Sequence, residues 1–240
     1  MSRAALATLR PLVERDHLAE RTYQVIRAAV LSGDLPPGTP LSVPELARRL
    51  EVSRSPVREA VQRIIHDQLA THVLHSGAVV SRVDGEDLRS LYVVRELLEG
   101  LAARLATEAA DQPGLDALSD LLTEHERLFD EGARDDDDAS DGGPSEEAGQ
   151  RHIELDTRFH RAIRDLAGNH HLSDILDSIV DRSHSAMHTL WGGEAPARLA
   201  LEEHRRIVEA MLSGDPAAAE EAARDHVVKL GIRLRRTPTQ

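Results

Sequence analysis

From Asp84 onward, apolar residues recur at steps of three and four, and the runs break at only a few short places. That period puts the apolar side chains on one helical face, and it leaves little room for a sheet. Asp84 can cap "EDLRSLYVVRELLEGLAARLATEAA", which ends before Pro113. Further helices are predicted over about 114–131, 146–167, 172–190, 196–213 and 216–235. "GN" at 168–169, "WGGEAP" at 191–196 and "SGDP" at 213–216 separate the last four. "DEGARDDDDASDGGPSEEAG" is acidic, rich in Gly and Ser, and has no apolar period. It is a flexible loop of about 130–148 inside the domain, not a domain boundary. Six antiparallel helices make a bundle. Aromatic residues are only 2% of the chain, so Leu, Ala, Val and Ile must fill the core, as suits a mainly α protein.

Residues 1–83 follow another pattern. Residues 1–16 look like a frayed arm. A helix over about 17–32 carries an apolar stripe of Leu18, Val25, Ile26, Ala29 and Val30, and Gly33 stops it. "DLPPGTPL" is a loop, because its prolines and glycine interrupt any ladder. "SVPELARRL" opens with a capping box, Ser42 and Glu45, and ends near Leu50. "EVSRSPVREAVQRIIHDQL" is a third helix with Ser53 as its cap and Pro56 in its first turn, where a missing N–H does no harm. "THVLHSGAVVSRV" is two β-type runs around Ser76-Gly77, a hairpin signal. Three helices and a hairpin are the layout of a winged helix-turn-helix. The chain therefore divides into 1–83 and 84–240.

Charge separates the same two parts. Residues 1–83 carry 11 Arg against 8 acidic residues, about +3, within a chain of net charge −13. A basic front and an acidic back suit a DNA-binding module joined to a domain with another task. The absence of cysteine excludes disulfides, thiolate catalysis and Cys-ligated zinc. No apolar run approaches the ~18 residues of a membrane span. No signal peptide stands out in "MSRAALATLRPLVERDH", so the expected compartment is the cytoplasm.

"VSRSPVREAV" (52–61) is the most specific stretch. It sets Ser53, Arg54 and Ser55 at a helix N-terminus and Arg58 one turn later. A recognition helix enters the major groove with such residues against the base edges. Arginine can bind guanine O6 and N7 in a bidentate pair. Serine hydroxyls and open N–H groups suit phosphate, and Ser42, Arg48 and Arg49 on the preceding helix add to that surface. A solvated, Arg-rich helix start is the alternative. The helix dipole disfavours cations there, which favours a functional reason.

"YQVIRAAVLSGDLPPGTPLSVPELARRLEVSRSPVREAVQRI" resembles the DNA-binding domain of GntR-family bacterial transcription factors. The match lies in "IR…L.SG.L.PG..L", "LA..L.VSR.PVREA" and the hairpin glycine Gly77. Three positions depart from the pattern. Glu51 and Gln68 stand where glycines are usual at helix ends, and Ser76 where the wing often carries Arg. The resemblance implies that Arg54 and Arg58 read bases and that Gly77 lets the wing approach the minor groove.

In the second part, Asp156 and His160 of "LDTRFH" lie four residues apart on one helix face. An oxygen and an imidazole nitrogen there suit a divalent metal, or a plain salt bridge. His204 and His226 each border an apolar stripe and need a partner. A shared ion would satisfy all four groups together. His184 and His188 have the same i,i+4 spacing and compete for that role.

"LYVVRELLEGLAARLA", "LDTRFHRAIRDLAGNHHL" and "EEHRRIVEAMLSGDPAAAEEAARDH" resemble the FCD subgroup of GntR regulators, named for the FadR C-terminal domain. The family's metal pattern falls on Asp156, His160, His204 and His226. One carboxylate and three imidazoles suit Zn, Ni, Co, Fe or Mn, and a coordination number above four leaves room for an anionic effector. Arg95 matches the family's cavity-facing arginine and could pair a small carboxylate, or form an i,i+4 ion pair with Glu99. Asn169 is a ligand contact or a helix C-cap. His184 and His188, on the helix after the "GN" break, are expected to line the pocket with Trp191.

The expected function is a homodimeric repressor that binds a palindromic double-stranded DNA operator and answers to a small carboxylate at a divalent metal. It would be a bacterial cytoplasmic protein, with the nucleoid when bound to DNA, and not an enzyme. The alternatives are a metal-dependent hydrolase, disfavoured because no glutamate stands out beside the ligands, and a regulator whose metal is structural or is itself the signal.

Overall fold

The computed structural model describes residues 15–73, 77–135, 146–187 and 194–236. The chain divides into two compact units between Arg82 and Val83.

In the first unit, α1 (Arg15–Leu31), α2 (Val43–Arg49) and α3 (Arg54–His66) precede strands β1 (Ala70–Val73) and β2 (Gly77–Val80). Pro56, Val57, Ala60, Val61 and Ile64 of α3 are buried at helical spacing. They share a core with Tyr23, Ile26 and Val30 of α1 and with Leu69, Ala70, Ala78 and Val80 around the hairpin. The buried face of α1 is Ala19, Thr22, Tyr23, Ile26 and Val30, while Leu18 and Val25, expected in its stripe, are exposed. Thr22 can be buried because its hydroxyl donates to the Leu18 carbonyl, 2.7 Å away. The tyrosine hydroxyl likewise donates to Asp67 Oδ2 at 2.6 Å.

Ser42 and Ser53 occupy N-cap positions with extended backbone, but neither side chain makes a cap hydrogen bond. The expected capping box is absent because Glu45 turns instead to Arg48 and Arg49. Glu51 and Gln68 adopt φ of 55° and 62°. These are the two positions where the family pattern has glycine, and the left-handed turn survives the substitution.

β1 and β2 are antiparallel, with Ala70 opposite Val80 and Val73 opposite Gly77. "DLPPGTPL", expected to be only a loop, supplies a third partner. Pro40 bridges Val79, Leu41 N–H donates to the Ala78 carbonyl, and Val80 N–H donates to the Thr39 carbonyl. Pro40 lies where an antiparallel pair exchanges no bonds, so its missing N–H is harmless.

The second unit contains α4 (Gly85–Ala109), α5 (Gln112–Asp135), α6 (Glu146–Leu166), α7 (His170–Met187), α8 (Glu194–Leu212) and α9 (Pro216–Arg236). Asp84 caps α4 by accepting from the Glu86 and Asp87 N–H groups at 2.8 and 2.9 Å. α5 runs four residues beyond the expected end and α6 starts at Glu146, so helix covers both edges of the predicted 130–148 loop. Glu131, Ala133, Arg134, Glu146 and Glu147 are good helix formers, so helix persists there without an apolar face. Left-handed Gly168 and Gly214 end α6 and α8.

α4 packs on α6, α7, α8 and α9, so it lies centrally in the unit. α4 and α9 run antiparallel, since Tyr92 meets Gly231 and Gly100 meets Arg224. Their approach is close. A Cβ on Gly100 would stand 2.5 Å from Arg224 Cγ, and Ala102, Ala103, Ala106, Ala219 and Ala223 supply small buried side chains to the same core. Among the described residues, no helix is long and apolar enough to cross a membrane.

Candidate metal centre

Asp156 and His160 are one turn apart on α6. His204 comes from α8 and His226 from α9. All four are buried, and one ligand atom of each lies within 4.8 Å of the others. His204 Nε2 is 3.5 Å from Asp156 Oδ1, and His160 Nε2 is 4.0 Å from the same oxygen. Asp156 Oδ1, His160 Nε2, His226 Nε2 and both His204 nitrogens have no hydrogen-bond partner among the described residues. Leaving such an atom buried and unpaired costs about 1–3 kcal/mol. Four convergent lone-pair donors therefore call for an electrophile.

The protonation states agree. Burial drives the His204 pKa well below its ordinary value, and the neighbouring His226 and His160 push the same way. Burial also lowers His226, with the Glu203 hydrogen bond opposing in part. Neutral imidazoles are the metal-binding form. The N,N,N,O donor set fits a divalent transition metal.

Two glutamates sit behind the ligands, where none was expected. Glu203 Oε2 is 2.9 Å from His226 Nδ1. Arg233 holds that carboxylate with two donated bonds of 2.8 and 2.7 Å. Burial alone would raise Glu203, but the Arg233 and His226 hydrogen bonds bring its pKa down to about 2. Glu99 Oε2 is 3.5 Å from His160 Nδ1. Glu99 also faces Arg95 Nε at 3.4 Å and Arg164 Nη1 at 3.7 Å, and Arg164 continues to Asp177 on α7 at 2.9 Å. Burial opposes its ionisation, yet His160, Arg95 and Arg164 hold it far below the usual carboxylate range. Glu203 immediately precedes His204 in sequence, and only the α8–α9 packing shows that it serves His226 instead.

Arg95 is 1% exposed. The ion pair with Glu99 expected from spacing is present, and a second N–H approaches the Tyr92 hydroxyl at 3.4 Å. Asn169 lines a surface pocket together with Arg164. It is exposed, and its Oδ1 accepts from Leu172 N–H at the start of α7, so it caps the following helix and not the preceding one. The positive φ at the helix end belongs to Gly168. His184 lies within α7, but its side chain is outside the described residues, as are His188 and Trp191. The buried pair His125 and His152, with ring nitrogens 2.9 Å apart, was also not anticipated. His152 lies one turn before Asp156, a spacing visible in the sequence.

In the first unit, the exposed face of α3 carries Arg54, Ser55, Arg58 and Gln62, and Ser53 is exposed just before it. The buried face of α3 fixes this outward direction. Ser55 Oγ donates to Glu59 at 3.2 Å. Ser42, Arg48 and Arg49 are exposed too, and both arginines bond Glu45, at 2.7 and 3.1 Å. Gly77 starts β2 with φ 76°, while Ser76 lies outside the described residues.

Comparison with known proteins adds a family context. Residues 90–229 match the FCD domain model, and residues 18–80 match the model of bacterial regulatory proteins, gntR family. The chain is 29% identical to the HTH-type transcriptional regulator YdhC of Bacillus subtilis (strain 168), over 86% of this chain and 84% of that one. It is 28% identical to a probable D-xylose utilization operon transcriptional repressor of Paenarthrobacter nicotinovorans, over 89% and 87%. The solved structure of E. coli McbR/YncC has the same fold, with a TM-score of 0.74 at 21% identity, over 91% of this chain and 97% of that one.

Proposed function

We infer the function of this chain from its kinship: it belongs to the GntR family of bacterial regulatory proteins and carries an FCD domain behind its winged helix. It is a DNA-binding transcriptional regulator, not an enzyme. Its finer reading is a repressor that releases a palindromic operator when a small carboxylate enters the second unit. The convergence of four unpaired donor atoms carries this reading.

Asp156, His160, His204 and His226 would hold the metal, which when bound supplies an electrophilic centre suited to a carboxylate oxygen. Arg95 supplies the complementary charge. Its guanidinium has five N–H donors, and Glu99 and Tyr92 engage only part of that fork. A ligand carboxylate would compete with Glu99 for it, which links effector arrival to the buried ion network. An effector can shift the protein only through different affinities for its two states.

On DNA, Arg54 and Arg58 read base edges in the major groove. Ser42, Arg48, Arg49, Ser53 and Ser55 contact phosphate, and Gly77 brings the wing close to the minor groove. A homodimer matches a palindrome. Val93, Val94, Leu97 and Leu101 give α4 an exposed apolar stripe that suits self-association. The protein would work in the cytoplasm, at the nucleoid when bound to DNA.

A gel shift on fragments of its own promoter region, with and without a panel of small carboxylates, tests this reading. Release by one carboxylate in metal-loaded protein, lost on chelation, supports it. Chelation that alone changes operator binding would make the metal the signal. Chelation that lowers only the melting temperature would make it structural.

A further inference from the structure

We propose that Glu99 and Glu203 are positioning residues for the metal centre, each locked by arginine, which fix His160 and His226 with Nδ1 turned outward and Nε2 turned to the ion. The proposal rests on the metal reading above.

Two ligands from different helices share one arrangement. Among the described residues, His226 has Nδ1 on a carboxylate and Nε2 without a partner. His160 repeats it, with Nδ1 facing Glu99 and Nε2 without a partner. A carboxylate on Nδ1 selects the tautomer with the proton there and leaves the Nε2 lone pair for coordination. Glu203 is held by both Nη atoms of Arg233, and Glu99 by Arg95 and Arg164. Each carboxylate is therefore held in place by arginine, Glu203 through two hydrogen bonds and Glu99 through one, with a second guanidinium 3.7 Å away. His204 is the contrast. The carboxylate it faces is its fellow ligand Asp156, 3.5 Å from Nε2, and its ring stacks on Phe159 with centroids 4.1 Å apart. Packing orients that ligand, whereas charge orients the other two. Glu203 sits at hydrogen-bond distance from its histidine and Glu99 stands 3.5 Å off, so Glu203 exerts the stronger hold.

The test titrates the full-length protein with zinc against a chromophoric chelator. The variants are Glu203→Gln and Glu99→Gln, which keep side-chain volume and remove the charge, and His160→Ala as ligand control. Both glutamine variants should raise the zinc Kd, by about 10–100-fold for Glu203→Gln and less for Glu99→Gln. In the zinc form, long-range 1H–15N spectra should show His160 and His226 protonated at Nδ1 and ligated through Nε2. Wild-type zinc affinity in both glutamine variants, with His160→Ala defective, would overturn the proposal while leaving the metal reading intact. So would ligation through Nδ1, which is read on the wild type and needs no variant to fold. Wild-type protein that takes up no zinc would remove the metal reading and this proposal with it.

Discussion

Asp156 Oδ1 on α6 and His204 Nε2 on α8 face each other across 3.5 Å, and neither has a hydrogen-bond partner among the described residues. The bundle thus buries two polar atoms from separate helices side by side without letting them satisfy each other. A divalent ion relieves both at once. Zinc at 100 times its Kd should stabilise the second unit by about 2.7 kcal/mol. The check is a thermal melt with and without chelator, in which His204→Ala should lose most of the zinc-dependent rise.

DNA recognition should separate from ligand sensing. Arg54→Ala and Arg58→Ala should each weaken operator binding by about 1–3 kcal/mol and relax sequence preference. His160→Ala should bind the operator normally and ignore the effector. Gel shifts at fixed salt measure both. Operator binding unchanged in Arg54→Ala plus Arg58→Ala would refute the assigned recognition helix.

Acid should loosen the metal-free second unit through two sets of groups with the same sign. His204 and His226 titrate below the ordinary 6.5 when folded, so below that pH the unfolded chain takes up more protons. Glu99 and Glu203 are depressed from 4.5, so the stability they contribute above that value is lost as pH falls further. Urea melts of chelated protein should show stability declining from about pH 6.5 and more steeply below about 4.5. A flat profile from pH 7 to 4 would contradict the assigned shifts.

Gly100 permits the α4–α9 contact. Gly100→Ala should cost about 1–3 kcal/mol by overpacking, because the new Cβ would press on Arg224, whose guanidinium bonds Glu96 at 3.1 and 2.8 Å. A melting temperature equal to wild type would show that Arg224 can swing away at no cost.

Gln68→Gly should act in the opposite direction. At φ 62° the side chain is strained by about 1 kcal/mol. Relief of that strain should raise the melting temperature of the first unit, less the entropy that glycine adds to the unfolded chain.

The order of elements was legible because long apolar periods survive any error at a single residue. Helix ends were less so. Residues up to Asp135 have no apolar signal, yet helix continues through them. In α1, Leu18 and Val25 outweigh Thr22 and Tyr23 on any hydrophobicity count, but the latter pair is buried because each hydroxyl finds an acceptor. At Asn169 the sequence suggested a cap on the preceding helix, whereas the side chain caps the following one. The four donors could be picked out by family pattern. Glu99 and Glu203 could not, because what they do depends on which helix lies beside them, and that is decided by tertiary packing.

Glu45, which bonds both Arg48 and Arg49, bears on how the protein searches a chromosome. Binding to random sequence is driven almost wholly by phosphate charge. An internal carboxylate that already neutralises part of that charge lowers the attraction to phosphate on every sequence alike. Arg54 and Arg58, proposed above to touch bases, lie outside this pairing, so Glu45 sets how long the protein stays on any DNA and not which sequence it prefers.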